Sequence, residues 1–342
     1  MMNAFNDLSI LSWNITGVVS SEGKRQTRVL IHRYNPMLIV LMETHCQFAR
    51  VANFWQGLGY VKCAISEATG HAGGIWILKS INCNYVIDIV ETYFQAVTVS
   101  LKSDDKMWFF TGVYASPRIT NRDNLWGYLK NIRPHLSSPW LLMGDFNEIM
   151  FPLEVKGGEF LISAARKFVD TIDTCYLIDL GATESQYTWY RKEGGLHKIA
   201  KRLDRALGDS DWRRLFPEAY VENLARCYSD HRPLLLRRSG FVPNRQARPF
   251  RFQDAWLTHE DFDNIVKTAW DRNHADITTR LNKVRKEALV FNDEVFGNIF
   301  RRKKDLEFQI CKIQKRLEVV DSVWLNLRER ELQKQYREVL QQ

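Results

Sequence analysis

Five short segments of this chain carry side chains suited to phosphodiester chemistry, and each falls where an apolar run ends. They are Ser12-Trp13-Asn14, Met42-Glu43-Thr44, Gly112-Val113-Tyr114, Gly144-Asp145-Phe146-Asn147 and Ser229-Asp230-His231; a sixth is Arg202-Leu203-Asp204-Arg205. Hydrolysis of a phosphodiester needs a hard cation on oxygen ligands, which Glu43 with Asn14 can supply. It needs a group that positions and activates water, a role open to Asp145. It also needs donors around the phosphoryl oxygens, and Asn147, Tyr114 and His231 qualify. Asp230 and His231 are adjacent, so on a regular strand they point to opposite faces. Asp204 is therefore the better partner for the imidazole, holding it protonated or in one tautomer. Each group alone has a plainer reading. Glu43 can be a solvated strand end, and Gly-Asp-x-Asn is also good turn chemistry. Taken jointly, the set favours a site. Competing chemistries lack their motifs: the chain has no Gly-x-Ser-x-Gly elbow, no phosphate-cradling glycine-lysine loop and no dinucleotide fingerprint.

These groups must be carried by regular elements. Leu8–Trp13, Met37–Met42, Gly74–Leu78, Tyr93–Leu101, Met107–Tyr114 and Trp140–Met143 read as strands. Val29, Leu30 and Tyr34 make a helical face, as do Leu125, Tyr128, Leu129 and Ile132 before Pro134. Ser163 is placed to cap a helix with inner face Ala164, Phe168, Val169 and Ile172. Thr188–Arg191 and Ile199–Leu207 flank Glu193-Gly194-Gly195, a hairpin signal, which puts Asp204 on the hairpin's second strand. Tyr220–Ala225 and Pro233–Leu236 close the set, and the alternation indicates an α/β domain whose sheets are covered by helices. Trp108, Trp126 and Trp140 are expected in or beside the core.

After Arg237 the character changes. Residues 239–258, with Gly240, Pro243 and Pro249 among several arginines, read as a linker, and residues 259–342 as a helical tail. Leu281, Val284, Ala288, Phe291 and Val295 precede a break at Gly297-Asn298. Leu306, Ile310, Ile313, Leu317, Val320, Trp324 and Leu327 then form a heptad stripe. A helical hairpin turning at Gly297 is the preferred reading, although such a tail could self-associate.

Composition narrows the class. The 342 residues include 48 Lys+Arg against 40 Asp+Glu, a net charge of +8, which favours a polyanionic partner. Six cysteines are scattered without a Cys-x-x-Cys pair, against a zinc site or a disulfide framework. No secretory leader and no membrane-length apolar run is visible, so a soluble intracellular protein is expected.

The ordered motifs resemble the endonuclease/exonuclease/phosphatase superfamily. To the six segments above the resemblance adds Gly73–Ile75, Tyr114–Pro117, Tyr187–Trp189 and the run Ser229–Leu234. It covers about the first two-thirds of the chain. Within the superfamily the chain is similar to the apurinic/apyrimidinic-endonuclease-like domains of plant-type LINE (non-LTR) retrotransposons. Segments 248–252, 256–258 and 295–298 resemble the stretch that such elements place before a reverse transcriptase, and no polymerase motif follows.

The resemblance implies a DNase-I-like four-layer α/β sandwich, two packed β-sheets flanked by helices, over residues 1–238. The implied activity is Mg2+-dependent nicking of DNA, with Mn2+ as the alternative ion and a nuclear location. Glu43 and Asn14 would hold the metal, with Asp230 close by. Asp145 would orient the attacking water, Asn147 and Tyr114 would bind the scissile phosphate, and His231 paired with Asp204 would stabilise the transition state. Thr188 would support the phosphate region, and Trp189, Arg191, Lys198 and Arg202 of the basic hairpin would contact DNA. Thr16 departs from the apurinic endonucleases, which usually carry Asp two residues after the Asn; this weakens an abasic-site role more than nuclease chemistry. Two alternatives stay open: an inactive retroelement remnant that binds nucleic acid or a partner, and a phosphoesterase of the same fold acting on another substrate.

Overall fold

The computed structural model describes residues 8–68, 73–103, 106–137, 139–193, 196–238, 256–257, 259–270, 277–291 and 297–340. The chain divides into two compact units, residues 1–240 with 313–326, and residues 241–312 with 327–342.

Two six-stranded sheets dominate the first unit. One runs β14 (Tyr220–Asn223), β15 (Leu234–Arg237), β1 (Ser9–Asn14), β2 (Leu38–Met42), β4 (Ile75–Ser80), β3 (Tyr60–Ser66). The other runs β10 (Leu177–Asp179), β13 (Asp204–Asp209), β8 (Trp140–Asp145), β7 (Lys106–Tyr114), β6 (Ala96–Ser103), β5 (Val86–Tyr93). The parallel pairs β1–β2 and β7–β8 sit centrally, each joined by a crossover that contains a helix, α1 (Ser21–Tyr34) or α3 (Ile119–Ile132). A small third sheet combines β11 (Trp189–Glu193), β12 (Leu196–Lys201) and β9 (Val155–Lys156).

The side-chain period of two divides each central strand between two cores. Ile10, Leu38, Val40 and Met42 meet Trp108, Phe110, Leu141, Met143 and Ala206 between the sheets. The alternate residues Leu11, Trp13, Ile39 and Leu41 face Leu30 and Ile31 of α1. On the far side Trp140, Leu142 and Leu207 pack against α3 through Leu125, Trp126 and Leu129, and against α4 (Ile162–Thr174) through Phe168 and Ile172. The result is the expected helix–sheet–sheet–helix sandwich. Trp108, Trp126 and Trp140 are all buried.

Several local expectations are corrected. Ile199–Leu207 is two strands: β12 ends at Lys201, and β13 starts at Asp204 in the large sheet. Asp204 therefore does not belong to the basic hairpin; its strand pairs with β8. Tyr93–Leu101 spans the turn between β5 and β6. The cap position of α4 is Leu161, without a side-chain cap, so Ser163 does not cap it.

In the second unit, α6 (Phe262–Ala269) packs on α7 (Ile277–Phe291) through Trp256, Phe262, Ala288 and Phe291. Leu281 of the expected inner face is exposed, and Val295, like linker residues 239–255, lies outside the described residues. Helix α8 (Gly297–Val319) starts at the glycine, and α9 begins at Val323 and ends at Val339. The heptad stripe holds only to Leu317: Val320, Trp324 and Leu327 are exposed, because the chain turns after Val319 and resets the phase. The buried face of α9 is Leu325, Leu332, Tyr336 and Val339 instead. Tyr336 donates from its hydroxyl to Glu307 at 2.7 Å within this unit.

Candidate active site

Asn14, Tyr114, Asp145 and Asp204 lie an even number of residues along their strands from Ile10, Phe110, Met143 and Ala206 of the inter-sheet core, and so continue that face. Where the apolar filling of the sandwich stops, these polar groups take its place. Register places them in a row: Tyr114 lies opposite Asp145 on the parallel pair, and Asp145 opposite Asp204 on the antiparallel one. Asn14 reaches them from the facing sheet, donating from its amide nitrogen to Asp145 Oδ2 at 3.0 Å.

Asp145 is the hub. Its Oδ1 accepts from the Asn147 backbone at 2.9 Å, and Oδ2 accepts from the Asn147 amide at 3.1 Å. His231 Nε2 lies 3.7 Å from Oδ2. Behind the imidazole, His231 Nδ1 donates to Asp204 Oδ2 at 2.8 Å, with both residues buried. Two backbone hydrogen bonds, at 2.9 Å each, run from Leu203 and Asp204 to Thr188 Oγ1 and fix where Asp204 begins its strand.

Burial, helped by the neighbouring Asp204 carboxylate, raises the Asp145 pKa to about 7, although His231 pulls it back. Burial works against charge on His231 too, but Asp204, Asp145 and Asp230 outweigh it and raise the imidazole pKa to about 10. His231 is therefore held as an imidazolium at neutral pH. Burial, with Glu43 and Asp145 nearby, pushes the Tyr114 phenol upward, so it remains a hydroxyl donor; it donates to Glu43 Oε1 at 2.7 Å.

The loops around this row are held in unusual backbone conformations. Thr16, Glu43, His45 and Asn147 all have φ between 48° and 56°, a left-handed region that non-glycine residues seldom occupy and that clusters at functional sites. Gly144 is required for close packing: a Cβ there would meet the Val113 carbonyl oxygen at 1.9 Å.

The remaining expected residues are distributed more widely. Glu43 sits with Tyr114 and has His45 3.6 Å away. Asp230 accepts from Thr16 Oγ1 at 3.1 Å and from the Trp189 indole at 2.8 Å, so its carboxylate is tied to two neighbours. Thr188 is fully buried, placed as a staple for Asp204. Arg202 is held by Asp179 at 2.7 Å and Glu154 at 3.1 Å, away from the Asp145 cluster in its bonding. Arg191 is exposed on the hairpin, and the Lys198 side chain lies outside the described residues. The sequence marks Ser229 as part of a candidate segment but assigns it no role; its hydroxyl donates to the Asn14 carbonyl at 2.8 Å and accepts from the His231 backbone at 3.0 Å. Thr16, in the sequence only a departure from the apurinic endonucleases, supplies a hydroxyl partner to Asp230.

The donor set suits a hard divalent cation. Asp145 and Asp204 bring carboxylate oxygens within 4.8 Å of each other and of His231, which as an imidazolium is a hydrogen-bond donor, so cation ligation falls to oxygen. Asp204 Oδ1 is buried without a hydrogen-bond partner, and a carboxylate at Asp145 destabilised by burial is one that a cation would stabilise. Oxygen donors at Glu43 and Asn14 border this cluster through Tyr114 and Asp145.

The profile of the Endonuclease/Exonuclease/phosphatase family matches residues 11–231, more than half of the chain. The chain belongs to that family, whose members hydrolyse phosphodiester bonds and whose nucleases generally depend on divalent metals. Comparison with curated protein sequences returns no match. Among solved structures, the AP endonuclease LMAP from Leishmania major superposes with a TM-score of 0.54 at 14% identity, over 67% of this chain and 86% of that one. The 3′ phosphatase NExo from Neisseria, bound to product DNA hairpin, gives 0.53 at 18% identity over 67% and 98%. The endonuclease domain of TRAS1, a telomere-specific non-LTR retrotransposon, gives 0.51 at 13% identity over 70% and 100%. At these identities the likeness establishes the DNase-I-like fold. No described helix is long and apolar enough to cross a membrane.

Proposed function

We propose that the chain is a Mg2+-dependent endonuclease that nicks DNA, of the retrotransposon type, with its catalytic domain in residues 1–238. The observation that supports this best is the convergence of Asn14, Asp145, Asn147, Asp204 and His231, from both sheets, on one hydrogen-bonded cluster. In this reading Asp145 orients a water molecule and takes its proton as the water oxygen bonds to phosphorus. The bond from phosphorus to the leaving oxygen breaks, and that oxygen takes a proton from solvent. His231, held as an imidazolium by Asp204, and the Asn147 amide donate to the phosphoryl oxygens, where negative charge accumulates. Tyr114 donates its one hydroxyl proton to Glu43 in the resting site, and in its phosphate-binding role that proton would turn to a phosphoryl oxygen. Glu43 and Asn14, with Asp230 nearby, would hold the cation, which when bound neutralises phosphate charge and lowers the pKa of coordinated water. The exposed Arg191 and the other basic residues of the β11–β12 hairpin would give sequence-independent contact with DNA phosphates.

Purified protein incubated with supercoiled plasmid and Mg2+ should yield nicked circles, and chelation should abolish them. Absence of nicking by the wild type, or nicking unchanged in both Asp145→Ala and His231→Ala, defeats the proposal.

A further inference from the structure

The segment Ile313–Asn326 lies outside the stretch matched by the family, yet it belongs to the same compact unit as the sheets. Its grip on that unit is specific. Gln314 accepts from the Arg226 backbone N–H at 3.3 Å and donates to the Arg226 carbonyl at 3.0 Å. Lys156 of β9 donates to the Leu317 carbonyl at 2.9 Å and pairs with Asp321 at 3.0 Å. Glu318 goes deepest. Its nearly buried carboxylate accepts from the Ser185 hydroxyl, from the Gln186 N–H at 3.1 Å and from the Tyr190 hydroxyl at 2.9 Å. It also faces the guanidinium of Arg232, itself fully buried, at 3.7 Å.

Arg232 and Tyr190 stand directly behind the site. The Arg232 N–H donates to the Thr188 carbonyl at 2.8 Å, and the Tyr190 N–H to the Asp230 carbonyl at 3.2 Å. These two bonds clip the segment that carries His231 onto the start of β11 and the preceding Thr188, the residue whose hydroxyl fixes Asp204. We infer that Glu318 is a positioning residue for the nuclease site: from the helical tail, it holds Arg232 and Tyr190 so that His231 and Asp204 keep their register. The inference rests on the function proposed above and adds to it that the tail is part of the catalytic unit. A carboxylate suits that place because a nearby negative charge offsets part of the cost of burying the Arg232 guanidinium. The effect belongs in turnover, since displacing a donor by a fraction of an ångström harms the transition state more than the binding of a long polyanion.

The test uses the full chain, with plasmid nicking and amide hydrogen exchange measured on the wild type, Glu318→Gln, Arg232→Gln and the double variant. Glu318→Gln should lower kcat by about tenfold to a hundredfold with KM little changed. It should also raise exchange across Ser229–Arg232, and its loss should not add to that of Arg232→Gln, since the two act as a unit. Unaltered kcat and exchange in Glu318→Gln, or fully additive losses, overturn the inference while leaving the nuclease reading intact. If the wild type does not nick DNA, the nuclease reading falls and the exchange data alone decide the positioning. Should Glu318→Gln fail to fold, Gln314→Ala serves: raised exchange in 226–232 is expected, and unchanged exchange there overturns the inference.

Discussion

The four residues Arg202-Leu203-Asp204-Arg205 serve two neighbouring regions built on opposite electrostatic plans. Asp204 points between the sheets, where it joins Asp145 and His231. Arg202 and Arg205 instead join Glu154 and Asp179 in a second buried cluster, with Arg205 binding both carboxylates and Arg202 likewise. In the second cluster two guanidiniums meet two carboxylates. Burial alone would raise both acids, but the arginines prevail, and Glu154 and Asp179 are held below the ordinary carboxylate range. At the site one imidazole faces two buried carboxylates, and Asp145 is pushed up to about 7. A balanced buried cluster is a structural clamp. An unbalanced one has a deficit of positive charge, which a cation and a substrate's chemistry can use.

The contrast can be broken most directly at Asp145. Asp145→Asn should cut nicking by about 10³- to 10⁴-fold while the melting temperature stays at or above that of the wild type, because a carboxylate disfavoured by burial is removed. A pronounced drop in melting temperature would place Asp145 with the clamp. At the other pole, Arg205→Met should lose about 3–5 kcal/mol in urea denaturation, because Glu154 and Asp179 are then left short of positive charge. A loss near zero would remove the distinction.

Asp204→Asn sits between these poles. Nicking should fall by about a hundredfold, and the His231 pKa, raised to about 10 chiefly by Asp204, should drop towards its ordinary 6.5. The raised imidazole contributes stability that is complete below the ordinary value and is lost as pH rises through about 10. That alkaline loss should shrink in the variant; an NMR titration of His231 that does not move would contradict the pairing. The smallest effect concerns acid. Glu154 and Asp179 have depressed folded-state pKa values, so their contribution is present above the ordinary carboxylate range and disappears as pH falls through the folded values. Glu154→Gln should flatten the acid limb of a melting-temperature profile, and an unchanged limb would count against the clamp.

Much of this was open to a reader of the sequence, for a physical reason. An apolar run that ends in Asp145 or Asn14 displays its own periodicity, so the strand, its buried face and the polar group at its end are all local information. The Asp204–His231 pair could be anticipated from the same geometry, because Asp230 cannot share a strand face with its neighbour. Strand breaks were harder to see. The stretch from Ile199 to Leu207 shows no strong turn residue at Arg202-Leu203, yet the chain changes sheets there because β8 offers Asp204 a partner strand. For the same reason Arg202 reads as a basic residue available to DNA, whereas its carboxylates arrive from Glu154 and Asp179.

What the sequence by itself determined is the central strands of the two large sheets, their buried faces and the residue types waiting at their ends, because these follow from the local alternation of apolar and polar side chains. Tertiary structure alone decided which charges would neutralise each other. It set Arg202 and Arg205 against Glu154 and Asp179, and brought Glu318 to Arg232 from far along the chain. Ion pairing depends on distance in space and on exclusion of water, and neither quantity is encoded in the spacing of residues along a strand.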